Sequence, residues 1–91
     1  AGGNVEAVYL DVRKIIEIAI NAKATNIIVM HNHPSGNPRP SYADINFTQT
    51  CFKALSIINV DLKDHIIVGG GRYFSFNEHN MIPKKGDEQY E

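Results

Sequence analysis

Apolar and polar residues fall along this chain in blocks of differing period, and each block predicts an element. Residues 5–10, VEAVYL, are rich in β-branched and aromatic types and predict a short strand. Asp11 stands where a helix N-cap is expected. Val12, Ile15, Ile16, Ala19 and Ile20 then recur at helical spacing, with Arg13, Lys14, Glu17 and Asn21 between them. That spacing predicts an amphipathic helix of about 13 residues. Residues 27–31, IIVMH, form an unbroken apolar run ending on a histidine, which suits a strand buried on both faces of a sheet covered by helices. Residues 32–40 hold three prolines and a glycine and read as a loop. Ser41 opens a second helix carried by Ile45, Thr48, Phe52, Leu55 and, at its end, Ile58 or Asn59. Residues 60–68 read as a strand with Ile66, Ile67 and Val68 at its apolar end. Gly69-Gly70-Gly71 makes a turn, and residues 72–76, RYFSF, return as an aromatic strand. The order β-α-β-α-β-β predicts an α/β fold: a single small domain over residues 1–82, with a mixed β-sheet flanked by helices. The tail, residues 83–91, is polar and expected to be disordered.

Composition narrows the function classes. The chain has 91 residues, 43% apolar and 21% charged, with a net charge of −1, all ordinary for a soluble globular domain. The nine basic residues are scattered, and Arg13–Lys14 and Lys84–Lys85 are the only adjacent pairs. Nucleic-acid binding normally needs clustered Lys and Arg, so the balance argues against it. One cysteine, Cys51, allows neither an internal disulfide nor a cysteine zinc site, and a cytoplasmic setting is expected. No apolar run approaches the ~18 residues of a membrane span. The start, Ala1-Gly2-Gly3-Asn4, lacks Met and reads like a cut inside a longer protein.

The chemistry concentrates in residues 31–44, HNHPSGNPRPSYAD. Side chains two apart on a strand share a face, so His31 and His33 at a strand end stand side by side. Pro34 has no amide hydrogen and ends the ladder. Loops at strand ends are where sites sit in open α/β sheets. Asp44, one turn into the next helix, is the candidate third ligand. Two imidazoles and one carboxylate leave a position for water, which is the arrangement of a catalytic rather than a structural zinc. A plainer reading stands beside this one. Ser41 and Asp44 also form a capping-box variant, and the histidines could be ordinary residues at a strand end.

The pattern His31-x-His33-Pro34, six residues, then Ser41-x-x-Asp44 resembles the JAMM motif of the JAMM/MPN+ metalloprotease superfamily. Its text, HNHPSG followed by PS and AD, is most similar to the RadC-like JAB domain branch, as is DHIIVGGGRYFSF at residues 64–76. The resemblance implies a cytidine-deaminase-like arrangement of sheet and helices, with the upstream strands absent. It implies one catalytic Zn2+ on His31, His33 and Asp44. It implies that Ser41 donates to the oxyanion or orients the bound water, in hydrolysis of a peptide or isopeptide amide. The family's general base is a glutamate on an upstream strand. Neither Glu6 nor Glu17 stands at its spacing, so this segment is expected to lack the base and to be crippled by about 10²–10⁴-fold. Missing upstream strands would leave an unpaired sheet edge for self-association. The alternatives are a DNA-repair-associated accessory module, following the branch's traditional label, and an inactive metal-binding scaffold.

Other residues draw plainer expectations. His65 is either a buried, hydrogen-bonded structural histidine or a partner of the site. His79 is read as a surface turn residue, and Cys51 as a small apolar residue near the core. The three glycines make a hairpin rather than a phosphate loop, since no Lys-Ser/Thr follows. Phe74 and Phe76 are read as core, against a stacking platform for single-stranded nucleic acid.

Overall fold

The computed structural model describes residues 10–84. The strand expected at 5–10, apart from Leu10, and the tail beyond Lys84 lie outside the described residues. The elements are α1 (Val12–Asn21), β1 (Asn26–Asn32), α2 (Tyr42–Ile57), β2 (Asp61–Gly69) and β3 (Arg72–Ser75).

Asp11 caps α1 as its sequence position predicts, its extended backbone letting the carboxylate accept the Arg13 N–H at 3.0 Å. The helix stops after 10 residues, short of the expected length. Lys23 takes a left-handed conformation, φ 55°, and two bonds close the end. The Ala24 N–H donates to the Ala19 carbonyl at 2.9 Å and the Lys23 N–H to Ile20 at 3.1 Å. This is a Schellman ending, which usually has glycine at the left-handed position. The second helix ends the same way: Asn59 is left-handed at φ 60°, and Val60 and Asn59 donate back to Leu55 and Ser56. Ile20, expected on the buried stripe, is exposed. At 100° per residue it lies about 90° around from the stripe's centre.

The sheet has the order β1-β2-β3. β1 and β2 run parallel, joined through α2, and β2 and β3 run antiparallel, so the sheet is mixed as predicted. The β2–β3 connection is Gly70-Gly71, with φ 59° and 75°, the two positive values a type I′ hairpin turn requires. Both helices cover one face. Ala19, Val29, Phe47, Cys51, Phe52, Leu55, Val60 and Leu62 form the core there, with Ile15, Ile16 and Ile27 packed against it. Burial pushes the Cys51 thiol up to about 11, so it serves as a packing group rather than a nucleophile.

The expectation of a β1 buried on both faces needs correction. Val29 is buried, but Ile28 and Met30 on the opposite face are 58% and 61% exposed. These two side chains stay open among the described residues, and a continuous apolar run cannot distinguish one covered face from two. No helix among the described residues is long and apolar enough to cross a membrane.

Candidate metal centre

The pleat of β1 outlasts its formal end. The His33 N–H still donates to the Val68 carbonyl at 2.8 Å, one step beyond the paired residues of β1 and β2. His31 and His33 therefore keep the strand's two-residue alternation and share a face. Their ring centroids lie 5.0 Å apart at 65°. Pro34 then ends the ladder, and the loop braces itself. The Gly36 N–H returns to the His33 carbonyl at 2.9 Å, Asn37 N–H bonds Ser35 Oγ, and Asn37 Oδ1 accepts from Arg39 N–H. The Asn37 carbonyl reaches back to His33 Nδ1 at 2.9 Å.

Asp44 arrives from α2 through a capping box. Ser41 Oγ accepts the Asp44 N–H at 3.1 Å, and Asp44 Oδ2 accepts the Ser41 N–H at 2.8 Å. The plain and the functional readings of Ser41-x-x-Asp44 thus hold together: the cap aims the carboxylate. Asp44 is buried, with Oδ1 3.3 Å from His31 Nε2 and Oδ2 3.1 Å from His33 Nε2. One ligand atom from each of the three residues lies within 4.8 Å of the others, and the group could hold a metal ion.

The donor set fits such an ion. A carbonyl only accepts, so His33 Nδ1 carries the proton in its bond to Asn37. In the neutral ring Nε2 is then a bare lone pair, aimed at a carboxylate oxygen 3.1 Å away. Two acceptors at that distance need a positive centre between them, either a proton or a cation. Ligands about 2.0–2.1 Å from one tetrahedral zinc sit about 3.3 Å from each other, close to the two histidine–carboxylate separations found here. The charge states suit this. Burial would raise the Asp44 carboxyl, but the Ser41 backbone N–H and side chain, then the two imidazoles, hold it below the usual carboxylate range. Burial draws His31 below its ordinary value, opposed by Asp44 and helped by His33. An ionised carboxylate and a neutral imidazole are the forms a metal takes up.

The β2–β3 hairpin supports the loop. Arg72 donates to the Gly36 carbonyl at 3.3 Å. Gly70 is left-handed, and a Cβ built on it would meet the Gly36 carbonyl oxygen at 2.5 Å. Gly70→Ala therefore carries both backbone strain and a contact that only main-chain movement relieves. It is expected to cost about 1–3 kcal/mol and to lower the melting midpoint by at least about 4 °C. Chemical and thermal denaturation check this, and an unchanged midpoint would contradict the tight seating of hairpin on loop.

The model of the RadC-like JAB domain family matches residues 1–81. This chain belongs to the RadC-like JAB domain family. Its similar relatives include UPF0758 proteins of Aquifex aeolicus (strain VF5), 42% identical over 80 residues, and of Alkaliphilus oremlandii (strain OhILAs), 44% identical over 80 residues. These alignments take in 88% of this chain and 35% and 34% of the relatives. UPF0758 protein YfjY of Escherichia coli (strain K12) is 36% identical over 80 residues, 88% of this chain and 50% of that protein. The chain thus spans between a third and a half of the length of these curated relatives.

Within this JAB domain, His31, His33 and Asp44 come together, and Ser41 is the exposed residue capping the helix that bears Asp44. Glu6 lies outside the described residues. Glu17 is exposed and pairs with Lys14 at 3.7 Å. His79 is an exposed turn residue stacked on Phe74, centroids 4.2 Å apart. Phe76 is fully buried and Phe74 half-buried, in line with a core role. Sequence reasoning missed Thr48 as more than a core residue and left His65 between two readings. His65 is fully buried, and its Nε2 lies 3.0 Å from His31 Nδ1. Its Nδ1 lies 2.6 Å from Thr48 Oγ1. The available signal was Thr48 standing four residues after Asp44, on the same helical face.

Proposed function

We propose that this RadC-like JAB domain is the zinc-binding part of a hydrolase that cuts peptide or isopeptide amide bonds. The observation that carries the reading is the convergence of His31 Nε2, His33 Nε2 and the Asp44 carboxylate. Two neutral imidazoles and one carboxylate are the ligand set of catalytic zinc, which keeps a position open. A zinc ion bound there supplies a water whose pKa falls toward 7 and a Lewis acid for the amide carbonyl. The protein's own residues do the rest. The self-bonded 33–39 loop and the capping box fix the three ligands in place. Ser41 Oγ accepts the Asp44 N–H through a lone pair, and its hydroxyl proton, which in the metal-free site helps hold the Asp44 carboxylate, would turn to the oxygen of the scissile amide as charge develops there. The described glutamates are engaged elsewhere: Glu17 with Lys14, and Glu78 accepting from the Tyr73 hydroxyl. The general base is accordingly assigned to a glutamate outside the described residues.

The test is hydrolysis of fluorogenic peptide and isopeptide substrates by the protein in its full-length form. Activity is expected to vanish with chelator and return with zinc. Ser41→Ala is expected to lower the rate by up to about 10²-fold while one zinc still binds per chain. Chelator-insensitive hydrolysis, or a Ser41→Ala enzyme of full activity, would contradict these assignments.

A further inference from the structure

The two nitrogens of His65 connect His31 to the backbone of Asp44 through a continuous line of hydrogen bonds. His31 Nδ1 lies 3.0 Å from His65 Nε2, His65 Nδ1 lies 2.6 Å from Thr48 Oγ1, and Thr48 Oγ1 lies 2.8 Å from the Asp44 carbonyl oxygen. The line thus starts at one metal-ligand candidate and ends on the main chain of another. The His65 ring is held in plane by Phe76, stacked at 4.6 Å and 4°, and by the edge of Phe47 at 5.6 Å. With no exposed surface it exchanges no bond with solvent.

Counting protons leaves two arrangements for this line. The Asp44 carbonyl can only accept, and Thr48 has one hydroxyl proton. If Thr48 donates it to that carbonyl, its oxygen must accept from His65 Nδ1–H. His65 Nε2 is then bare and accepts from His31 Nδ1–H, which leaves His31 Nε2 as a lone pair toward Asp44 Oδ1. If Thr48 instead donates to His65 Nδ1, its bond to the Asp44 carbonyl is lost, the two bonds made by His65 reverse, and a neutral His31 carries its proton on Nε2, in the space between the ligands. Only the first arrangement presents a metal-ready imidazole.

We propose that Thr48 and His65 are positioning residues that hold His31 in its Nε2-ligating tautomer, with Thr48 supplying the acceptor that keeps the proton of His65 on Nδ1. The proposal rests on the metal-binding reading above and deepens it. Asn37 serves His33 in the same way, through a carbonyl that cannot reverse. The His31 side is therefore the one whose direction depends on side chains. Hydrogen-bond partners of this kind typically govern metal affinity by 10–100-fold.

The test compares zinc affinity, by competition with a chromophoric chelator, in the unaltered chain, Thr48→Val and Thr48→Ser. Valine keeps the shape and removes the acceptor. Thr48→Val is expected to lose about 10–100-fold in zinc affinity, and Thr48→Ser to stay within about threefold. Nitrogen-15 shifts of the imidazoles in the zinc-loaded protein are expected to place the proton on Nδ1 of both His31 and His65. Should Thr48→Val fail to fold in chelator, His65→Phe and His65→Gln make the same comparison. Phenylalanine keeps the stack on Phe76 and loses affinity; glutamine, which can accept from His31 and donate to Thr48, restores most of it. Full affinity in Thr48→Val or His65→Phe, or a proton on His65 Nε2 in the loaded protein, overturns this proposal alone. Absence of zinc binding by the unaltered chain overturns the metal reading and this proposal with it.

Discussion

Replacing His33 with alanine is expected to lower zinc affinity by about 10²–10³-fold and to abolish one-to-one binding at micromolar concentrations. The magnitude follows from spreading the free energy of a structural zinc site, about 10–16 kcal/mol, over its four ligands, which gives roughly 2.5–4 kcal/mol for each. Two features make His33 the ligand to remove. Its Nδ1 is already committed to the Asn37 carbonyl, so the ring has no other tautomer to offer and its Nε2 serves the site alone. It is also absent from the apolar core, so the substitution leaves the packing of α1, α2 and the sheet intact. Equilibrium dialysis with metal analysis reads the result. One zinc per chain in both proteins would show that His33 is not a ligand. Zinc should also raise the melting midpoint of the unaltered chain, since a ligand at 100 times its dissociation constant adds about 2.7 kcal/mol, and should fail to do so in His33→Ala.

The second large effect is loss of stability of the metal-free domain as pH falls from about 6.5 to about 4. Burial, helped by the neighbouring His31, pulls His65 from 6.5 down to about 4. Between these values the unfolded chain binds a proton that the folded chain refuses. Stability therefore rises with pH across this window, is complete above it, and drains away as acid is added. The slope for one such group reaches about 1.4 kcal/mol per pH unit, and the whole shift amounts to about 3 kcal/mol. His31 is depressed in the same direction and adds to the loss. The Asp44 carboxyl, held below its usual range, extends it to lower pH. Urea denaturation in chelator at half-unit steps of pH measures this directly. His65→Gln should flatten the profile between pH 6.5 and 4, and a midpoint constant over that range in the unaltered chain would contradict the account.

The site was more legible in the sequence than the packing around it. A histidine pair two residues apart at the end of an apolar run fixes a shared face, because strand geometry permits nothing else. Ser41 and Asp44 three apart fix a helix start, and the cap that starts the helix also turns the carboxylate inward. The Asp11 cap and the glycine hairpin were readable for the same reason, that local geometry decides them. What escaped depends on partners distant in the chain or on unusual residues at familiar positions. Lys23 ends α1 in a conformation usually marked by glycine, so nothing flagged the early stop. The exposure of Ile28 and Met30 depends on what covers the far face of the sheet, which a run of apolar letters does not encode. The seating of Gly70 against Gly36 joins residues 34 positions apart, so neither glycine's local sequence reveals it. Thr48 passed as core because threonine is compatible with a buried helix face, and its hydroxyl matters only once His65 is beside it.

Zinc-edge X-ray absorption on the chain loaded with one equivalent of zinc reads out whether His31, His33 and Asp44 share one metal ion. Shared coordination gives a first shell of nitrogen and oxygen only, at about 2.0–2.1 Å, with the outer-shell scattering of two imidazoles. A sulfur scatterer at about 2.3 Å would place the ion on Cys51, and a shell without imidazole would remove both histidines from the site; either would contradict it.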